Sequence, residues 1–442
     1  MRQRLLAMGI TLAAVMPAVG HADSDSELLN IHREIQSLKN DYERRLQALE
    51  KRLQHAEHTA QQARTEAEQA QSAASQTAVA PPPKPAASAG AFNPAIGVIL
   101  NGSYGAFSRD PASYAIPGFA LGPEAGPGER GFSLGESELN VNANVDDKFF
   151  GNLTAALTPD GNAEIEEAYF QTLGLPYGAT LKAGRFFSAI GYLNSQHAHA
   201  WDFIDPPLPY RAMLDNQYVD DGVQLSWIVP ADIFIQAGAE AFRGDHFPAG
   251  GAANRGAGTW SAFLHVGGDA GTSNSWLAGL STLRARADNR ITGADSFTGD
   301  SHLIIADLVW KWAPNGNPSV TNFKLQSEYF HRRENGLFNN EAYAGTQRGW
   351  YVQGVYQFMP RWRVGLRHDE VRAGPVAAAF NGTVLDNLGY TPKRDSVMVD
   401  FSNSEFSRFR LQYNRDRSSP QTAIQWYLQY IMSLGAHGAH TY

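Results

Sequence analysis

The side chains best suited to chemistry stand in a short run, His197-Ala198-His199-Ala200-Trp201-Asp202, followed by Asp205-Pro206-Pro207. Two imidazoles one residue apart, with carboxylates just beyond, offer the nitrogen and oxygen ligands that zinc accepts. The reading names His197, His199 and Asp202 as the metal set; ordinary hydrogen-bonded loop histidines are the plainer alternative. His437 and His440 near the chain end form a fainter pair. A second set is basic: Lys182, Arg185, Lys324, Arg363, Arg367, Arg408 and Arg410. Arg408-x-Arg410 and Arg363-x-x-x-Arg367 keep even spacing, which on a strand directs each pair to one face. Glu136, Glu138, Glu328, Asp369 and Asp400 are expected on the same inner faces. Rings of arginine and lysine favour anions and rings of carboxylate favour cations. The mixture here also permits mutual pairing that merely stiffens the scaffold. Lys182 and Arg185 have opposite parity, so both face inward only if a bulge intervenes.

The elements that must carry these residues show a period of two. In 138–145, Leu139, Val141, Ala143 and Val145 fall on one face, while Glu138, Asn140, Asn142 and Asn144 fall on the other. Comparable segments occur at 96–107, 149–157, 165–173, 180–187, 219–229, 233–242, 259–266, 276–284 and 303–312. They continue at 322–331, 349–358, 361–369, 396–402, 406–414 and 422–434, about sixteen in all, an even number typical of bacterial barrels. Aromatics gather at strand ends: Trp310, Trp312, Trp350, Tyr351, Phe358, Trp362, Trp426 and Tyr430, as in interfacial girdles. Tight connections at 159–162, 229–231 and 359–361 alternate with long ones at 110–130, 244–258, 291–299 and 373–394. Short turns on one rim and long loops on the other are the barrel habit. In the last segment Ile424, Trp426, Leu428, Tyr430, Met432 and Leu434 share a face, and counting by twos reaches the terminal Tyr442.

Composition agrees. Of 442 residues only 18% are charged, while 11% are aromatic and 42 are glycine. Mean hydropathy is −0.34, and no long apolar run follows the N-terminus, so a membrane location requires a closed barrel rather than helices. The chain has no cysteine, which excludes disulfides and thiolate metal sites. A net charge of −8 argues against nucleic acid as a partner.

Before the strands lie three other segments. Residues 1–22 read as a secretory signal, with Arg2 and Arg4, an apolar stretch and a small-x-small ending at Gly20-His21-Ala22. Its removal brings the net charge to −10 (−8 minus two arginines). Residues 23–77 read as a periplasmic coiled coil. Leu28, Ile31, Ile35, Leu38 and Tyr42 recur at steps of three and four, and after a stutter Leu46, Leu49, Leu53 and Ala56 resume the pattern. Residues 78–94 contain Pro81-Pro82-Pro83-Lys84-Pro85 and form a stiff tether. The barrel is expected over 95–442.

Layout and two motifs resemble the phosphate-selective porin O and P family of outer-membrane proteins. Leu181-Lys182-Ala183-Gly184-Arg185-Phe186-Phe187-Ser188-Ala189-Ile190-Gly191 is similar to that family's strand leading to its pore-constricting loop. Asp221-Gly222-Val223-Gln224-Leu225 resembles the strand that follows. The ending from Ser433 to Tyr442 also resembles a subgroup called zinc-regulated TonB-dependent outer membrane receptors. The resemblance implies a sixteen-stranded homotrimeric barrel with a periplasmic coiled coil. It also implies that 194–214 folds into the lumen.

The expectation is therefore an all-β transmembrane barrel of about sixteen antiparallel strands, preceded by an α-helical coiled coil, in the bacterial outer membrane. Its partners would be outer-membrane lipid, further copies of the chain and small charged solutes passing through a water-filled channel. No resident cofactor is needed, unless zinc binds the histidine loop in a metal-uptake role. His-Glu-x-x-His and phosphate-loop motifs are absent from the sequence, which argues against an enzyme.

Overall fold

The computed structural model describes residues 94–158, 161–251 and 256–435, together with Gln36 alone from the preceding chain. The signal segment, the coiled coil and nearly all of the tether lie outside the described residues, as do His437, His440 and Tyr442. Among the described residues no helix is long and apolar enough to cross a membrane, and the crossing is made by strands.

Sixteen strands form the wall. They are β1 (Ala95–Phe107), β2 (Ser137–Asn144), β3 (Phe149–Leu157), β4 (Ala163–Thr172), β5 (Ala179–Phe187), β6 (Val219–Ile228), β7 (Phe234–Phe242) and β8 (Thr259–Asp269). The others are β9 (Asn274–Thr292), β10 (Asp295–Trp312), β11 (Asn322–Phe338), β12 (Glu341–Met359), β13 (Trp362–Ala373), β14 (Lys393–Ser404), β15 (Ser407–Arg417) and β16 (Ala423–Gly435). Each pairs antiparallel with the next, and β1 pairs with β16 from Gly97↔Gly435 to Phe107↔Gln425, which closes the barrel and leaves no edge. Two short pieces, Gly131–Ser133 and Gly250–Gly251, attach at one rim.

The alternation read in the sequence becomes an inside and an outside. On β2, Leu139 points out and is 46% exposed, whereas its neighbour Glu138 points in and is 3% exposed. The exposed apolar row continues around the wall through Leu153, Leu225, Leu264, Leu280, Leu308, Leu366, Leu411 and Leu428. Such a belt is stable only against hydrocarbon. Inside, β2 and β3 carry a polar ladder. Asn140 Nδ2 donates to Asn152 (2.8 Å) and Thr154 (2.8 Å), and Asn142 Nδ2 donates to Asn140 (2.6 Å). Aromatic pairs mark both edges of the belt. Trp362–Phe401, Phe409–Tyr430 and Trp310–Phe323 lie towards the rim that carries the chain ends, and Tyr413–Trp426 lies towards the other.

Four expectations need correction. Residues 291–299 are not a long loop: β9 and β10 run 19 and 18 residues and meet at Gly293-Ala294. A tilted strand needs only about 9–11 residues to cross the bilayer, so β9 to β12 project well beyond it. The β11–β12 turn is similarly tight, with Asn339 and Asn340 at φ 51° and 65°, the left-handed geometry of a two-residue hairpin. The short 158–162 connection joins β3 to β4 on the long-loop rim, not on the rim of 229–231 and 359–361. Tyr351 is fully buried inside the barrel and does not belong to a girdle. Arg185 faces outward, in register with Asp221.

Candidate functional site

Residues 188–218, between β5 and β6, fold into the lumen. Their composition requires it: Ile190, Leu193, Trp201, Phe203, Leu208, Tyr210, Met213 and Leu214 are all buried. Each would forgo roughly 1.5–3 kcal/mol if left in water. Phe203 packs with Val355 of β12 and Met398 of β14, and the others pack on Phe242 of β7, Leu283 of β9, Leu303 and Ile305 of β10, Phe330 of β11 and Val371 of β13. A short helix, α1 (Leu208–Leu214), lies fully buried against β12 and β13 and stops at Asp215, which is left-handed (φ 51°).

Polar anchors fix where this loop sits. On β11, Glu328 accepts from the backbone N–H of Tyr192 (3.2 Å) and Leu193 (3.1 Å) and from the hydroxyls of Tyr210 (2.9 Å) and Tyr351 (2.6 Å). Gly191 makes that approach possible. Its φ is +62°, and a Cβ there would lie 2.4 Å from Glu328 Oε2. On β7, Glu240 accepts from Ser188 Oγ, from the N–H of Ala189 (2.9 Å) and from Gln224 Nε2 (2.6 Å).

From these anchors the loop runs back to the opposite wall. His197 donates from Nδ1 to Glu166 (3.0 Å) and from Nε2 to Glu167 (3.2 Å), both on β4, with Glu138 of β2 at 3.4 Å. His199 donates from Nδ1 to Glu138 (2.6 Å), and the two rings stack at 5.6 Å. Ligand atoms of Glu138, His197 and His199 lie within 4.8 Å of one another, and Glu136, Glu138 and Glu166 form an overlapping group. Burial alone would lower His197, but the bonds from Glu166 and Glu167 outweigh it and hold the ring well above the ordinary imidazole range. His199 goes the other way, to about 3, through burial first and then the neighbouring charge on His197. Two stacked imidazoles cannot both be cheaply charged, so one is cationic and the other neutral. Burial, then Glu166 and Glu138, push Glu136 well above the usual carboxylate range.

Three residues further on, the surroundings reverse sign. Asp202 accepts from Lys324 Nζ (3.1 Å) and Arg363 (2.9 Å). Asp205 accepts from Arg211 (3.1 Å), Arg367 (2.8 Å), Arg394 (2.7 Å), Gln412 (2.6 Å) and Asn414 (3.0 Å). Loop carbonyls join in: Arg408 donates to that of His199 (2.7 Å) and Arg410 to that of Trp201 (2.8 Å). Burial would raise both aspartates. Lys324 and Arg363 at Asp202, and Arg394 and Arg367 at Asp205, overcome it and hold both below the usual range.

The inward arginines of the sequence reading therefore converge, but on the loop. Lys324, Arg363, Arg367, Arg408 and Arg410 all bind it or its carboxylates. Asp202 is not a partner of the histidines; it is held by Lys324 and Arg363, and Glu138 takes its place beside the rings. Lys182 points inward, with Nζ over Tyr169 (4.5 Å) and Phe186 (5.3 Å). Arg185 has the outward parity of Leu181 and pairs with Asp221 (2.8 Å) across β5–β6. Glu166, Glu167, Arg211 and Arg394 were missed. Glu166 and Glu167 are adjacent, and simple alternation allows only one of them inside. A β-bulge, where Thr154 faces Glu167 and Ala155 faces Ile165, turns both inward. The run Glu164-Ile165-Glu166-Glu167 was the available signal.

No family model matches the chain. An uncharacterized protein of Aquifex aeolicus (strain VF5) is 30% identical over 339 residues, covering 71% of each chain. Among solved structures, OmpT of Vibrio cholerae in its trimer form superposes with a TM-score of 0.51 at 13% identity, covering 77% of this chain and 99% of that one. The anion-selective porin from Comamonas acidovorans gives 0.51 at 11% identity, with 77% and 99% covered. The outer membrane channel DcaP of Acinetobacter baumannii gives 0.50 at 11% identity, with 77% and 97% covered. The fold is that of the sixteen-stranded outer-membrane porins. With its lipid-facing belt, it places the protein in the bacterial outer membrane.

Proposed function

The chain belongs to the same family as that A. aeolicus protein, and we propose that its barrel is a diffusion channel for small charged solutes. One observation carries this reading. A polar lumen is crossed by an inward loop whose neighbouring stretches 197–199 and 202–205 meet walls of opposite sign, the β2/β4 carboxylates and the β13–β15 arginines. A solute passing between them experiences a transverse field, which sorts by charge rather than by chemistry. The channel named DcaP and the anion-selective porin share the fold and support the same reading. The Lys182–Gly191 and Asp221–Leu225 motifs flank the inward loop, which favours kinship with the phosphate-selective porin O and P family. The trimer form of OmpT supports a homotrimer. Purified protein in planar bilayers should give stepwise conductance. A preparation that folds and inserts but never conducts ends this reading.

A second reading is favoured by the Glu138, His197 and His199 cluster, whose ligand atoms already approach within 4.8 Å. A modest contraction brings one carboxylate oxygen and two imidazole nitrogens to the roughly 2.0–2.2 Å that zinc needs. The lumen would then take up or sense the metal. Calorimetry with zinc chloride should show a site in the parent that His197→Ala/His199→Ala lacks. Identical isotherms would remove the idea.

A further inference from the structure

The outer surface of β9–β12 carries a feature that neither the channel nor the metal reading uses. Followed upward from the chain-end rim, the outward positions are apolar and then change abruptly. On β9, Ala278, Leu280 and Thr282 give way to Arg284. On β10, Leu308, Ala306 and Ile304 give way to His302. On β11, Leu325, Ser327 and Tyr329 give way to His331 and Arg333. On β12, Val352 and Trp350 give way to Arg348. The change marks the level at which hydrocarbon ends and headgroups begin.

The basic residues at this level face one another. Arg284 pairs in register with His302, His302 with Arg333, and His331 with Arg348. Arg333 Nε donates to His331 Nε2 (3.2 Å). Arg348 also stands in register with Arg372 of β13, and like charges directly opposite on a sheet are destabilising. Among the described residues no carboxylate oxygen comes within ion-pair distance of Arg284, Arg333 or Arg348. Around the same rim, β13–β15 solve the same problem internally: His368 pairs with Asp395 (2.6 Å), Lys393 with Glu370 (3.0 Å) and Arg372 with Glu370 (3.4 Å). Asp300 of β10 lies on the same outer face in register with Arg286, so Arg284, Arg333 and Arg348, which lack an ion pair, are what this face offers to anions from outside the chain. Directly beneath it, Leu280, Ile304, Tyr329 and Trp350 are exposed apolar surface. Cationic groups above an oily floor fit an amphipathic anion, not a free one.

We propose that Arg284, His302, His331, Arg333 and Arg348 form a binding site for the phosphates of an outer-leaflet glycolipid, whose acyl chains lie along the apolar floor. Guanidinium groups bind phosphate through paired charge-assisted hydrogen bonds, and a headgroup bearing two phosphates spans neighbouring strands of the patch.

The test uses the full chain in neutral detergent, with diphosphorylated lipid A as the probe and retention read by native mass spectrometry. Parent protein should retain lipid A and should bind its dephosphorylated form at least about tenfold more weakly. Arg284→Gln/Arg333→Gln/Arg348→Gln should lose binding by at least a similar factor, about tenfold, whereas Lys393→Gln on β14 should not. Folding is verified by heat-modifiable gel migration; if the triple variant does not fold, Arg333→Gln alone and the salt dependence of the parent provide the same readout. Equal retention of phosphorylated and dephosphorylated lipid by the parent overturns the proposal. So does equal retention by the folded parent and variant, or full displacement of lipid A by an equimolar amount of inorganic phosphate.

Discussion

The two wall-facing ends of the loop stretch 197–205 differ in how their charge is balanced. At Asp202 and Asp205, aspartates are surrounded by guanidinium groups from β13 and β14, Lys324 from β11 and Arg211 from the loop itself. Every loop carboxylate oxygen there has a partner, and the cluster is buried. At His197 and His199, only five and six residues earlier, two rings meet Glu138, Glu166 and Glu167, with Glu136 close by, and only one ring is charged. The first end is a clamp in which cations outnumber the loop carboxylates they hold; the second holds an excess of carboxylate in reserve. A clamp that tight fixes the loop, and an excess that local leaves room for a cation. The same chain thereby separates holding from binding.

The largest expected effect tests the clamp. Asp205→Ala leaves Arg211, Arg367 and Arg394 without their common partner, and removing one member of a buried ion cluster costs about 3–5 kcal/mol. The temperature at which the barrel loses its compact gel migration should fall clearly. If His197→Gln lowers it further than Asp205→Ala, the contrast between the ends is inverted. Next comes Glu328→Gln, which weakens a four-bond anchor and should cost about 1–3 kcal/mol, seen in the same assay.

The ends should also respond to pH in opposite ways, in protein kept metal-free with chelator. His197 is held above its unfolded value of 6.5, so its contribution is full below that pH and lost as pH rises through the raised folded value. Asp202 and Asp205 are held below their unfolded value of 3.8, so theirs is full above it and lost as pH falls through the lowered one. The stability gap between parent and His197→Gln should therefore close towards alkaline pH, and that between parent and Asp205→Ala should close towards acid. Gaps that narrow in the same direction contradict the assignment. The smallest effect is expected at Lys324→Met, about 1 kcal/mol or less, because Arg363 still holds Asp202.

Most of the wall was legible in the sequence. Period-two patterning located all sixteen strands, because lipid on one side and lumen on the other impose alternation on every crossing. The lengths of β9–β12 were not legible, since above the membrane Arg284, Arg333 and Arg348 replace the apolar marker on the outer face. Even spacing placed Arg363, Arg367, Arg408 and Arg410 inside correctly. It failed at Arg185, where the choice between Lys182 and Arg185 depends on which residue continues the outward row of Leu181. It failed again at Glu166 and Glu167, because a bulge breaks the rule on which parity rests. The histidine pair was visible, but its partners were not. Glu138 lies 61 positions from His199, and no local pattern joins them.

The most direct test of a clamped loop across a conducting lumen is single-channel current from parent and Asp202→Asn/Asp205→Asn protein in identical planar bilayers. Small discrete steps from the parent and larger ones from the variant are predicted, because releasing the clamp lets the 202–206 stretch swing away from the β13–β15 wall. Folded, inserted parent that passes no current, or steps of equal size from both proteins, would contradict it.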